Sequence, residues 1–93
     1  MIENFRCKET KKIWERKFSK RFPAGIQKMA RRKLVSISIS ESIDDLRKPP
    51  SNQLEKLIGG RKGQYSIRIN SQWRICFKWK NGNAADVEIV DYH

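Results

Sequence analysis

The chain carries one imidazole, and it stands last: His93 follows Asp91 and Tyr92 at the end of the apolar-alternating segment Asp86-Val87-Glu88-Ile89-Val90. A histidine with an ordinary pKa near ~6.5, a phenol beside it and a carboxylate one step earlier form a set able to take, give and orient protons near neutral pH. On a chain of formal charge +11, the partner for that set is an anionic polymer. RNA supplies its own nucleophile. A base removes the 2′-hydroxyl proton, cations carry the charge of the phosphorane-like transition state, and an acid protonates the departing 5′-oxygen. Arg68 and Arg74 present planar forks suited to nonbridging phosphate oxygens. Tyr92 can stack on a base or donate through its hydroxyl, and Asp91 can orient or accept protons. This chemistry requires neither a cofactor nor a metal.

The charge that would gather such a substrate is unevenly placed. Residues 1–33 hold twelve Lys/Arg against three Glu, and residues 61–80 hold six against no acid. Residues 34–60 and 81–93 carry a slight acidic excess. Two basic blocks are what a phosphate-rich partner selects, because each Lys or Arg that neutralises a phosphate releases condensed counterion. A solvated face kept soluble by charge is the plain alternative for the first block. In the second, Arg61, Lys62 and Lys78 are the expected RNA-backbone contacts beside Arg68 and Arg74. The run Gly59-Gly60-Arg61-Lys62-Gly63 is not a nucleotide-binding phosphate loop, since no Ser or Thr follows Lys62. It is expected to turn the chain.

Ninety-three residues, 38% hydrophobic with nine aromatics, suit one small domain, 1–93, too shallow to enclose a substrate. The substrate is therefore expected on a surface. No apolar run reaches the ~18 residues of a membrane span, and no signal peptide opens the chain, so a cytoplasmic protein without membrane contact is expected. Cys7 and Cys76 are far apart and expected as free thiols; with a single histidine they supply no metal-ligand spacing.

The elements that must position these residues begin with a short strand, Ile2–Phe5, and a helix capped by Thr10 and running to about Phe18. Pro23 opens a second helix on which Ile26, Met29, Ala30, Leu34 and Ile37 recur at helical steps. Val35–Ile39 also alternates with period two, so a strand is its rival there. Ser40 offers a new cap for one or two turns through Leu46, ended by Pro49-Pro50. Sheet grammar follows: a short strand around Leu54 and Leu57, a turn at Gly59-Gly60, a strand Gln64–Ile69, a hairpin at Asn70-Ser71-Gln72, a strand from Trp73 to Lys80, a turn at Asn81-Gly82 and a last strand Val87–Asp91. By parity Tyr65, Ile67, Ile69, Trp73, Ile75, Phe77 and Trp79 share an apolar face. Arg68, Arg74, Cys76, Lys78 and Lys80 fall on the other, giving a two-layer α+β fold with one side for helices and one cationic side for a ligand.

The stretch Ser66-Ile67-Arg68-Ile69-Asn70-Ser71-Gln72-Trp73-Arg74-Ile75-Cys76-Phe77, with the terminal Asp91-Tyr92-His93, resembles the HigB group of RelE-like toxins from bacterial toxin–antitoxin systems. The likeness covers essentially the whole chain. It implies a compact RelE-like fold and a ribosome-dependent endoribonuclease, an mRNA interferase that cuts messenger RNA in the ribosomal A site. It also implies a HigA-type helix-turn-helix antitoxin as partner, through which alone the toxin would meet DNA. The catalytic set it implies here is Arg68, Arg74, Asp91, Tyr92 and His93. Some relatives carry a histidine where Glu55 stands, which leaves the acid and base roles open among Glu55, Asp91, Tyr92 and His93. Two other functions are compatible with the residues: a ParE-type toxin that acts on DNA gyrase, and a nonenzymatic RNA- or ribosome-binding module.

Overall fold

A computed structural model describes residues 1–92. The first helix, α1 (Lys8–Trp14), buries Thr10 and Ile13 one turn apart. It is shorter than expected because Arg16 adopts a left-handed φ of 64° and breaks the turn, which leaves Phe18 outside the helix and 65% exposed. Thr10 is no cap. It lies inside α1, fully buried, and its Oγ1 accepts a hydrogen bond from the Ile89 amide at 3.0 Å.

Helix α2 (Ala24–Ile39) follows Pro23 and buries Ile26, Ala30, Leu34 and Ile37, a stripe along one face. The helical pattern therefore prevails over the period-two reading of its last turn. Ser40 ends α2 rather than starting the next element. The short 3-10 helix Ile43–Arg47 is capped instead by Ser42, with the Asp45 carboxylate accepting from the Glu41 and Ser42 amides at 2.9 and 3.2 Å.

Four strands, β1 (Glu55–Lys56), β2 (Gln64–Arg68), β3 (Trp73–Lys80) and β4 (Asn83–Asp91), form an antiparallel meander in chain order. The expected opening strand is reduced to two parallel bridges, Ile2 to Ala84 and Phe5 to Val87, on the outer edge of β4. Ile67, Ile75, Phe77, Ala84, Val87 and Ile89 meet Ile13, Ile26, Ala30, Leu34 and Ile37 in one core. This is the small two-layer α+β architecture expected from the sequence.

Strand β4 starts earlier than expected because Asn81 and Gly82, at φ 53° and 79°, turn the hairpin tightly. The strand then contains a bulge. Pairing runs from Lys78↔Ala85 to Cys76↔Glu88, so Asp86 and Val87 together stand opposite Phe77, and Asp86 takes a φ of 50°. One extra residue reverses side-chain parity. Ala84 lies in the core, yet so do Val87 and Ile89, while Glu88 and Val90 join the face of their partners Cys76 and Arg74. Asn4 holds the bulge, donating to Asp86 Oδ1 at 2.8 Å and accepting from the Asp86 amide at 3.0 Å.

Candidate active site

On the face away from the helices, strand register aligns two rows. Arg68 pairs with Arg74, which pairs with Val90; the next row runs Glu55, Ser66, Cys76, Glu88 across all four strands. Tyr92 continues the phase of Glu88 and Val90, and its ring lies over the Arg74 guanidinium, 5.5 Å from carbon to centroid. The Tyr92 amide is fixed by a 2.6 Å hydrogen bond to the Gln72 carbonyl. Glu55, Lys56, Leu57, Ile58, Gly60, Arg61 and Tyr92 enclose an open cleft of about 420 Å³ at this end of the sheet.

Arg74 departs from expectation. Parity does take it away from the helix layer, but it is only 6% exposed. Its Nε donates to Ser66 Oγ at 2.8 Å, its Nη2 donates to the Ser66 and Gln53 carbonyls, and its Nη1 lies 3.8 Å from Glu55 Oε1. The segment before β1 thus roofs part of the cationic face. Gln53 sits there at a left-handed φ of 44° with its carbonyl turned onto the guanidinium. Burying a charge in this way requires just such pairing and hydrogen bonding. Arg68, its cross-strand neighbour, is half-exposed and makes no side-chain hydrogen bond or ion pair among the described residues.

The acids that residues 61–80 lack arrive from elsewhere. Glu88, largely buried, receives Arg61 at 2.7 Å and Arg6 at 3.9 Å. Arg61 also donates to Gln64 Oε1 at 3.2 Å, and its hydrogen bond to Glu88 raises its pKa further, against the opposing effect of burial. Cys76, fully buried in the centre of the face, has its thiol pKa pushed up by burial, an effect that Arg61 and Arg74 oppose.

The structure therefore brings Arg61, Arg74 and Tyr92 together with Glu55, while Arg68 stands in the adjacent row and Lys62 is exposed beyond the Gly59–Arg61 turn. Asp91 accepts from Gln72 Nε2 at 3.1 Å across the β3–β4 end. Lys78 is not part of this cluster. It lies along β3 about 13 Å from Arg74 at ~3.3 Å per residue, tied to Asp86 at 3.2 Å. His93 lies outside the described residues. Ser66, Gln53 and Glu88 were missed from the sequence. The only trace of Glu88 was an acid interrupting an apolar alternation, and Gln53 acts through its backbone, which no side-chain pattern records.

Chemically the cleft offers an exposed carboxylate, a phenol and the Arg61 guanidinium, with the buried Arg74 guanidinium fixed against the phenol ring. A phosphodiester laid across it would meet the Arg61 cation together with a proton acceptor and a proton donor.

Residues 3–93 match the family described as RelE-like toxin of type II toxin–antitoxin system HigB. The chain is 42% identical over 62 residues to Toxin HigB-1 of Vibrio cholerae, covering 67% of this chain and 65% of that protein. It is 31% identical over 93 residues to Endoribonuclease HigB of Proteus vulgaris, covering 100% of both. A Haemophilus influenzae protein that bears no functional name is 46% identical over 61 residues, 66% of this chain and 60% of that one. The match thus spans less than two thirds of the Vibrio and Haemophilus proteins and the full length of the Proteus protein.

Proposed function

This chain belongs to the RelE-like toxins of the HigB type II toxin–antitoxin system, and we propose that residues 1–93 form one toxin unit that is a ribosome-dependent endoribonuclease. It cleaves messenger RNA in the ribosomal A site by attack of the 2′-hydroxyl, without a metal, and acts in the cytoplasm. A HigA-type antitoxin restrains it. The observation that carries this reading is the cleft lined by Tyr92, Glu55 and Arg61, with Arg74 buried against the first two and half-exposed Arg68 in the adjacent row, in a chain 31% identical over its whole length to a protein named as an endoribonuclease.

The roles follow from exposure and partners. Arg68, half-exposed and without an internal partner among the described residues, is the group that takes a nonbridging oxygen as negative charge develops. Arg61 lines the cleft, anchored by Glu88. Arg74 holds Tyr92 and Glu55 in place. Tyr92 stacks on a base or donates to the leaving oxygen. His93, next along the chain, exchanges protons with the 2′-hydroxyl or the 5′-oxygen, with Glu55 and Asp91 as the carboxylates that share these roles. Lys62 and Lys78 contact RNA backbone outside the cleft.

The test is primer-extension mapping of messenger RNA cut by the purified toxin on programmed ribosomes. Arg68→Ala and His93→Ala should each lower cleavage by ~10²-fold or more while leaving the thermal midpoint close to that of the parent chain. Full cleavage by both variants overturns the assignment. Inhibition of gyrase supercoiling without RNA cleavage would place the activity with ParE-type toxins instead.

A further inference from the structure

A second and larger hollow lies around the corner from the cleft. The N-terminal segment covers the outer edge of β4 as far as Val87, and Thr10 takes the Ile89 amide. Beyond that point the edge opens into a cleft of about 760 Å³. Arg6, Lys8 and Arg21 stand exposed on its rim and half-buried Trp73 forms part of its wall. Buried Phe22 meets the Trp73 ring edge-on, centroids 5.6 Å apart at 86°, and so fixes the plane of the indole.

The two clefts are contiguous. Arg61 lines both, and Asp91 lines the larger one while the next residue, Tyr92, lines the smaller. The carboxylates of the larger cleft are engaged locally. Glu9 accepts from Ser19 at 2.6 Å and pairs with Lys12 at 3.1 Å, Glu88 is held by Arg61, and Asp91 accepts from Gln72. Lys8 and Arg21 form no salt bridge among the described residues. A half-buried indole in a cleft wall with exposed cations beside it is a combination that suits a single-stranded nucleotide without reading its sequence.

We propose that this cleft is a flanking-nucleotide subsite, which takes a nucleotide outside the triplet that spans the scissile linkage, with its base against Trp73 and its phosphate held by Lys8 and Arg21. The subsite deepens the RNA-cleaving function above and rests on it for the position of the scissile linkage. It makes the strand leave the catalytic cleft over the β4 edge, past Arg61.

Noncleavable 2′-O-methyl RNA separates the two claims. The full chain is titrated with a trinucleotide and with hexanucleotides extended on the 5′ or the 3′ side, followed by fluorescence anisotropy over a range of salt. Extension on one side should tighten binding about tenfold through the added stacking and phosphate contact. Arg21→Gln should remove most of that gain and lower the salt slope by about 0.7, one phosphate contact on a single strand. Trp73→Phe should keep part of the gain and Trp73→Ala lose it, and neither these nor Arg21→Gln should change trinucleotide affinity. The proposal falls if extension on neither side tightens binding, or if Arg21→Gln weakens both lengths equally. It also falls if Arg21→Gln leaves RNA binding intact and loosens only the antitoxin complex, which would make the cleft a protein-docking surface. A chain that binds the extended strand as expected but cuts no RNA on ribosomes would refute the nuclease reading alone.

Discussion

The Arg74 guanidinium lies 5.5 Å from the centroid of the Tyr92 ring and is almost wholly buried beneath it. A cation in that position stabilises the ring's placement. It has little surface left with which to receive a phosphate, since Ser66, Gln53 and Glu55 surround its donors. Arg68, its partner across the β2–β3 ladder, is the open member of the pair.

The two arginines should therefore fail differently. Arg74→Ala strands the Gln53 and Ser66 acceptors and leaves Glu55 without its cation, at a cost of about 2–4 kcal/mol. For a domain of this size that is a fall in thermal midpoint on the order of 10–20 °C. Arg74→Lys keeps the charge and loses the fork, so it should recover only part of the stability and little of the cleavage. Arg68→Ala should stay within ~0.5 kcal/mol of the parent chain and still lose cleavage. Equal stability losses in Arg68→Ala and Arg74→Ala, read by thermal and urea unfolding, would contradict the division of roles.

That division was only half legible in the sequence. Period-two alternation over Gln64–Ile69 and Trp73–Lys80 set both arginines opposite the apolar face, as the register shows. Nothing in it revealed that Gln53 and Glu55 fold over one of them and not the other, because that roof depends on a left-handed residue and a two-residue strand. The α2 stripe was legible because four buried side chains recur over a long helix. Thr10 misled for a physical reason: threonine suits both a helix cap and a buried acceptor for a neighbouring strand's amide, and only tertiary packing chooses. The phase slip between Ala84 and Val87, two core residues an odd number of positions apart, was the one available sign of the bulge.

Cys76 gives a direct reading of how closed the cationic face is. Burial raises the pKa of its thiol, so at a given pH less thiolate forms than in an open chain. Iodoacetamide at neutral pH should alkylate half-buried Cys7 in the native protein and spare Cys76, with both labelled in denaturant, as counted by mass spectrometry. Rapid native labelling of Cys76 would show that the face opens to solvent on the time scale of the reaction.

Asp86 ties stability to pH through the bulge. Its carboxyl is held below the ordinary carboxylate range by the hydrogen bond from Asn4 first and by Lys78 second. Because the folded pKa is depressed, the contribution is fully present above the unfolded value near ~3.9 and is lost as pH falls through the folded one. Asp86→Asn tolerates the left-handed φ and removes only the charge. Its stability deficit against the parent chain, measured by urea midpoint, should shrink as pH is lowered from about 6 to about 3. A deficit that stays constant over that range would mean the carboxylate charge contributes nothing to the clamp.

Thr10 couples α1 to the strand end that carries Asp91 and Tyr92. Its hydroxyl is the acceptor for the Ile89 amide at the point where β4 loses its N-terminal cover. Thr10→Val preserves shape and leaves that amide buried without a partner, which costs about 1–3 kcal/mol. Thr10→Ser keeps the oxygen and should cost less, chiefly through the missing methyl. If α1 holds β4 in place for catalysis, Thr10→Val should also lower cleavage, and it should do so at temperatures where the protein is still fully folded. Hydrogen exchange supplies the local check: the Ile89 amide should exchange faster in Thr10→Val than in Thr10→Ser, while core amides such as that of Ile75 change only in proportion to global stability. Unaltered exchange at Ile89 in the valine variant would show that another group replaces the hydroxyl, and that α1 does not govern the position of the strand end.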